Sequence, residues 1–161
     1  LIKSGFETGY IHHIGRLMVV GNFMNLSGIF PKEGFKWFME FSIDSYEWVM
    51  HQNVYEMVFF ITGGQTMTRP YISSSNYIIK MSNYKPTKIH TSSATSSNEN
   101  VPWQIVWDAL YWSFIEKHAP KMKKMGRFGG IQVSFFERKK PDVIKRIKQT
   151  YKKFMADVFH L

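Results

Sequence analysis

The sequence contains no cysteine. That excludes disulfides, thiolate catalysis and any cysteine-ligated metal or iron–sulfur cluster within the chain. No apolar run is long enough and free enough of charge to span a bilayer, and no signal-peptide layout opens the sequence. These absences predict an intracellular protein with no membrane partner. Familiar catalytic signatures are missing as well. Gly63-Gly64 lacks the lysine and spacing of a phosphate loop, and there is no Gly-x-Ser-x-Gly elbow. His12-His13 has no third ligand at metal spacing, so no metal site is expected. Internal repeats and strand-like alternation are also lacking.

Acidic residues are scarce at one end. Residues 121–161 hold three Asp/Glu against twelve Lys/Arg, whereas residues 1–120 hold nine of each, so the whole net charge of +9 falls in the last 41 residues. Such asymmetry fits a polyanion partner, whose condensed counterions are released when lysine and arginine neutralise its phosphates. A solvated, solubilising helix face fits it equally.

What is present is an apolar and unusually aromatic chain of 161 residues, 44% apolar and 17% aromatic, enough for one packed domain. The aromatic set can be plain core or can wrap a flat conjugated ring. The chain does not begin with Met and enters an apolar-rich segment almost at once, which leads us to expect a piece of a longer protein. Helical periodicity predicts a first helix over 6–29, interrupted by glycines that each cost about 1 kcal/mol against alanine. Pro31 opens a second helix running to about Met50, with a possible break near Asp44. Residues 52–75 read as irregular and 76–81 as a short helix. Residues 86–100 read as an exposed Ser/Thr/Asn-rich loop. Pro102 opens a helix to His118. Pro141 opens the last, with Ile144, Ile147, Tyr151, Phe154 and Val158 as its apolar stripe. The fold class expected is all-α.

His12, His13 and Arg16 form a polar cluster in an otherwise apolar stretch. A buried arginine needs an anion, and the nearest candidate on the following helix is Asp44, set among Ile43, Tyr46 and Trp48. The pair either holds two helices together or also lines an anionic cofactor site.

Four runs then carry a resemblance: YIHHIGRLMVVGNFMNLSGI, FKWFMEFSIDSYEWVMHQNVYEM, TGGQTMTRPYISSSNYIIKMSNY and VWDALYWSFIEKH. They resemble, in the same order and over nearly residues 8–138, the C-terminal helical domain of the photolyase/cryptochrome family, in its photolyase-related bacterial (6-4) group. The resemblance implies a helical domain that holds FAD, one domain over 1–161, with a separate N-terminal α/β domain elsewhere in the full-length protein. It implies a light-dependent DNA-repair lyase that transfers an electron from photoexcited FAD to a flipped-out pyrimidine lesion. A cryptochrome-like photoreceptor and a basic nucleic-acid-binding module without flavin are the alternatives.

The implied roles fall on definite residues. Arg16 and Asp44 match the flavin-site pair. Asn53, Gly63 and Gly64 match segments near the flavin ring and phosphates, and Met50 stands near the flavin. His13 matches the histidine that handles a proton at the lesion. Tyr71 and Met57 match lesion-pocket residues. Trp37 matches the tryptophan nearest the flavin in the electron-transfer chain. It also lies seven residues before Asp44, so on one continuous helix the two would share a face. DNA contact is expected from Lys121, Lys123, Lys124, Arg127, Arg138 and Lys139. Lys85, Lys88 and Val101 stand where relatives carry cluster cysteines, so no iron–sulfur cluster is expected. Phe38 stands for a tyrosine common beside the proximal tryptophan, and Met50 for a carboxylate of some members.

Overall fold

The computed structural model describes residues 1–67, 69–87 and 101–159. Among them every regular element is helical, so the fold is all-α. Helix α1 is Ile2–Thr8 and ends at Gly9, whose φ of 69° is left-handed. Helix α2 spans 13–26 and contains a π-helical stretch, Arg16–Gly21. Helix α3 is Pro31–Phe41. Helix α4 spans 47–58 and is π-helical over His51–Val58. Helix α5 is Ser75–Met81, α6 Trp103–Lys124, α7 Arg127–Glu137 and α8 Pro141–Phe159. No helix among the described residues is long and apolar enough to cross a membrane. The exposed loop expected over 86–100 lies, from residue 88 on, outside the described residues.

Four expectations about the helices need correction. The first predicted helix is two, because the chain turns at Gly9 and His12 caps a new start, its Nδ1 accepting from the Ile14 N–H at 3.2 Å. The stretch read as irregular from residue 52 is helical to Val58. Its apolar positions Val54 and Val58 are buried, and that burial outweighs weak local propensity. Helix α6 passes through Pro120 to Lys124, although proline removes a backbone donor, because Met122 in its last turns is fully buried. Helix α7 was not foreseen, since Gly126, Gly129 and Gly130 depress helix propensity. Gly129 is there for contact: a Cβ would sit 2.2 Å from the Met122 carbonyl oxygen, so only glycine lets α7 fold back so closely on α6.

Two apolar clusters result. Leu26, Phe60, Leu110, Phe114, Ile115, Met122, Val133 and Phe136 pack where α6, α7 and α8 meet. Leu17, Val20, Phe38, Met50, Val54, Val58 and Phe59 pack where α2, α3 and α4 meet. Each fully buried side chain of this kind contributes about 1.5–3 kcal/mol. A polar tie spans the two. The amide of Asn22, 1% exposed, donates to the Ser73 carbonyl at 3.1 Å, and Trp107 Nε1 donates to the same carbonyl at 2.9 Å. The 71–75 segment is thus held between α2 and α6.

Candidate cofactor site

The side chain of Arg16 is 11% exposed, yet it sits at the apolar junction of α2 and α4. Two of its three guanidinium nitrogens have partners. Nε donates to the Ile11 carbonyl, and Nη2 meets Asp44 at 2.8 Å from Oδ1 and 3.0 Å from Oδ2. The Tyr10 ring lies 5.3 Å from the guanidinium carbon. Asp44 is 48% exposed, so the pair has one buried and one solvated end. Asp44 is not on α3. The helix stops at Phe41, Ser42 turns extended, and the carboxylate reaches Arg16 from the 42–46 connection. The shared-face argument linking Trp37 to Asp44 therefore does not hold.

Around this pair lies a cavity of about 200 Å³. His13, Arg16, Asp44, Met50 and Asn53 line it together, five of the residues singled out in the sequence. Tyr10, Leu17, Phe38 and Val49 complete much of the wall, and the sequence reading had assigned none of these four to it. Tyr10 carried a usable signal, an aromatic ring just before a polar cluster. Phe38 and Val49 carried none that separates a cavity wall from ordinary core. The donor set is mixed. His13 is exposed, Asn53 is half-buried with an amide that can donate and accept, Met50 is buried, and Asp44 supplies an acceptor.

Trp37, Met57 and Tyr71 do not line the cavity, but all three pack against the apolar cluster that forms its floor. Trp37 stacks on Phe41 at 4.6 Å and 7°, and meets Phe38 edge-on at 5.1 Å. Phe38 is 1% exposed and touches both Trp37 and the cavity, so it is the material between them. Tyr71 lies under Arg69, 5.4 Å from guanidinium carbon to ring centre.

Gly63 and Gly64 lie elsewhere. Their φ values of 71° and 90° make a left-handed turn, and Cβ atoms there would meet the Lys121 stem and the Met125 sulfur. The turn thus accommodates the end of α6 and is not part of the cavity wall. Among the basic residues, Lys123, Arg127 and Arg138 line one shallow groove with Ile131 and Phe135. Lys123 is paired with Glu137 at 2.7 Å. Lys139 sits over the Trp112 ring at 4.1 Å, a cation–π contact, and Lys124 is exposed. The six form no single surface with the cavity. No group of three or more His, Asp or Glu able to hold a metal is found among the described residues.

Sequence comparison adds two relatives. Over 130 residues the chain is 45% identical to a protein of Acanthamoeba polyphaga mimivirus described as uncharacterized, covering 80% of this chain and 93% of the viral protein. The chain belongs to one family with that viral protein. Over 127 residues it is 39% identical to a (6-4) photolyase of Agrobacterium fabrum (strain C58 / ATCC 33970), covering 79% of this chain but 24% of the photolyase. The chain is therefore photolyase-related, and it spans about a quarter of that relative's length. No protein-family model matches it.

Proposed function

We propose that this chain forms the flavin-binding wall of a photolyase-type flavoprotein, and that the whole protein carries out light-dependent repair of a (6-4) photoproduct in DNA. The observation that carries the reading is the cavity at the Arg16–Asp44 pair. A flat ring with polar edges needs apolar faces and a few fixed donors and acceptors. Leu17, Phe38 and Val54 offer the first, and Arg16, Asp44 and Asn53 the second. At about 200 Å³ the cavity is below the roughly 300–1,000 Å³ of whole-ligand pockets, so it suits the ring portion of FAD rather than all of it.

In this reading Arg16 and Asp44 hold the cofactor's polar edge, and Asn53 adds a directional hydrogen bond. Met50 supplies a polarisable apolar contact. Bound FAD would supply light absorption and the transferable electron. His13, exposed at the rim, is placed to hold or release a proton on a group entering from solvent. Lys123, Arg127 and Arg138 would contact DNA phosphates.

The test has two arms. Purified protein is mixed with FAD and passed through gel filtration; co-elution of flavin with protein, reduced by Asp44→Ala, is expected. The full-length protein is then illuminated with an oligonucleotide carrying one (6-4) lesion, and restored thymines are measured by chromatography. Flavin that never co-elutes overturns the cofactor assignment, and flavin retention without repair favours a photoreceptor. A second reading, a basic nucleic-acid-binding module without flavin, is favoured by one observation: the matched region makes up 93% of the viral relative. Colourless protein that binds DNA with a steep salt dependence would establish it.

A further inference from the structure

A second cavity, of about 650 Å³, opens between the 25–31 segment, α6 and α8. It shares no lining residue with the first. Its depth is aromatic. Phe59 and Phe114, each 7% exposed, form the floor, and Tyr151 of α8 faces them half-buried. Its polar groups are unevenly satisfied. Lys148 is matched by Glu116 at 2.8 Å, which ties α8 to α6. Lys117 and Lys152 also line the cavity, are exposed, and have no carboxylate partner among the described residues. Three lysines against one glutamate leave a local excess of two positive charges.

We propose that this cavity binds a nucleoside phosphate: a flat aromatic ring against Phe114 and Tyr151, with phosphate at Lys117 and Lys152. The volume lies within the range of sites for small organic ligands. The composition argues against a bare anion, since inorganic phosphate would leave the aromatic floor wet. It argues equally against a neutral apolar ligand, which would leave two cations unused. A flat ring covers the aromatic floor, and a phosphate uses both lysines. His118 stands at the wall, its ring tilted 30° against Phe114 at 4.3 Å, and burial holds it neutral at pH 7. It can therefore share a hydrogen with the ligand without competing for the anion. This site is independent of whether the first cavity holds flavin.

AMP is the probe, measured by titration calorimetry on the purified chain. Saturable binding is expected, weakened at least tenfold when adenosine or inorganic phosphate replaces AMP. Lys117→Glu with Lys152→Glu should weaken AMP at least tenfold with unchanged circular dichroism. Asp44→Ala, at the first cavity, should leave AMP affinity within twofold. Absence of saturable binding at millimolar AMP overturns the proposal. So does AMP binding that Asp44→Ala abolishes and the lysine pair does not, because the nucleotide would then occupy the first cavity.

Discussion

His118 makes the stability of this protein depend on mild acid. Its ring lies 4.3 Å from Phe114 and meets Phe60 edge-on at 5.9 Å. Burial first, then the neighbouring charges of Lys117 and Lys121, push its pKa from 6.5 down to about 4. The unfolded chain therefore takes up a proton on this residue near pH 6.5, while the folded chain resists until about pH 4. Stability is complete above pH 6.5 and is lost as pH falls toward 4, because the unfolded state binds more protons across that window. At 1.36 kcal/mol per tenfold, moving from 6.5 to about 4 corresponds to about 3 kcal/mol at most. The ring is half-buried, so solvent screening brings this to about 1–2 kcal/mol. His118→Phe keeps an aromatic ring in the same stack and removes the titration. Urea unfolding at steps between pH 7 and pH 4.5 measures the effect. The parent should lose about 1–2 kcal/mol more than His118→Phe across that interval. Parallel profiles would refute the reasoning and mean that His118 is protonated in the folded protein at ordinary pH.

Asp44→Ala leaves the Arg16 guanidinium buried without its carboxylate. Breaking a fully buried pair costs roughly 3–5 kcal/mol, and the half-exposed Asp44 lowers this to about 1–2 kcal/mol, read as a reduced urea midpoint. Tyr111 is buried near Asp108, and its phenol pKa is raised from 10.0 to about 12. Ultraviolet titration should show Tyr111 ionising only toward pH 12, as stability falls between pH 10 and 12. Reversing Lys123, Arg127 and Arg138 to glutamate should weaken DNA binding and flatten its log–log salt slope by about 0.9 per lost phosphate contact; an unchanged slope would make this groove an ordinary solvated face. Trp37→Phe should slow blue-light flavin reduction strongly while unfolding stability changes little, and equal rates would remove Trp37 from the electron route.

The sequence is most informative where chemistry leaves few choices. An arginine among apolar residues needs an anion, and Asp44, set among Ile43, Tyr46 and Trp48, is the nearest candidate on the predicted following helix; the structure joins them at 2.8 Å. Pro31 and Pro141 mark two helix starts because proline is tolerated there and almost nowhere else in a helix. Tertiary packing hid the rest. The glycines of α7 look like a linker until Gly129 is seen against the Met122 carbonyl. Helical spacing placed Asp44 in register with Trp37, but the backbone leaves the helix at Ser42. Gly63 and Gly64 enter the cofactor reading through the family resemblance alone, and the space beside them is taken by Lys121 and Met125.

The cavity at Arg16 has an origin that no 3.6-residue pattern could reveal. Both helices are π-helical over part of its wall, Arg16–Gly21 on one side and His51–Val58 on the other, while His13, Val49 and Met50 reach it from α-helical turns. A π turn spreads five residues where an α turn uses about four, so it rotates side chains out of the regular stripe. That rotation is how Arg16 and Leu17 come to line the same space as Asn53 and Val54. The two widened stretches are also drawn together at one point. A Cβ on Gly21 would lie 2.7 Å from a methyl carbon of Val58, closer than such contacts occur. Gly21 thus sets the separation of α2 and α4 at this point, while the Arg16–Asp44 pair ties α2 to the 42–46 connection. A wider gap would let water replace the apolar floor, and a narrower one would close the space. The helix-weakening glycine and the irregular hydrogen bonding, each unfavourable alone, are therefore the local conditions for having a cavity between these helices at all.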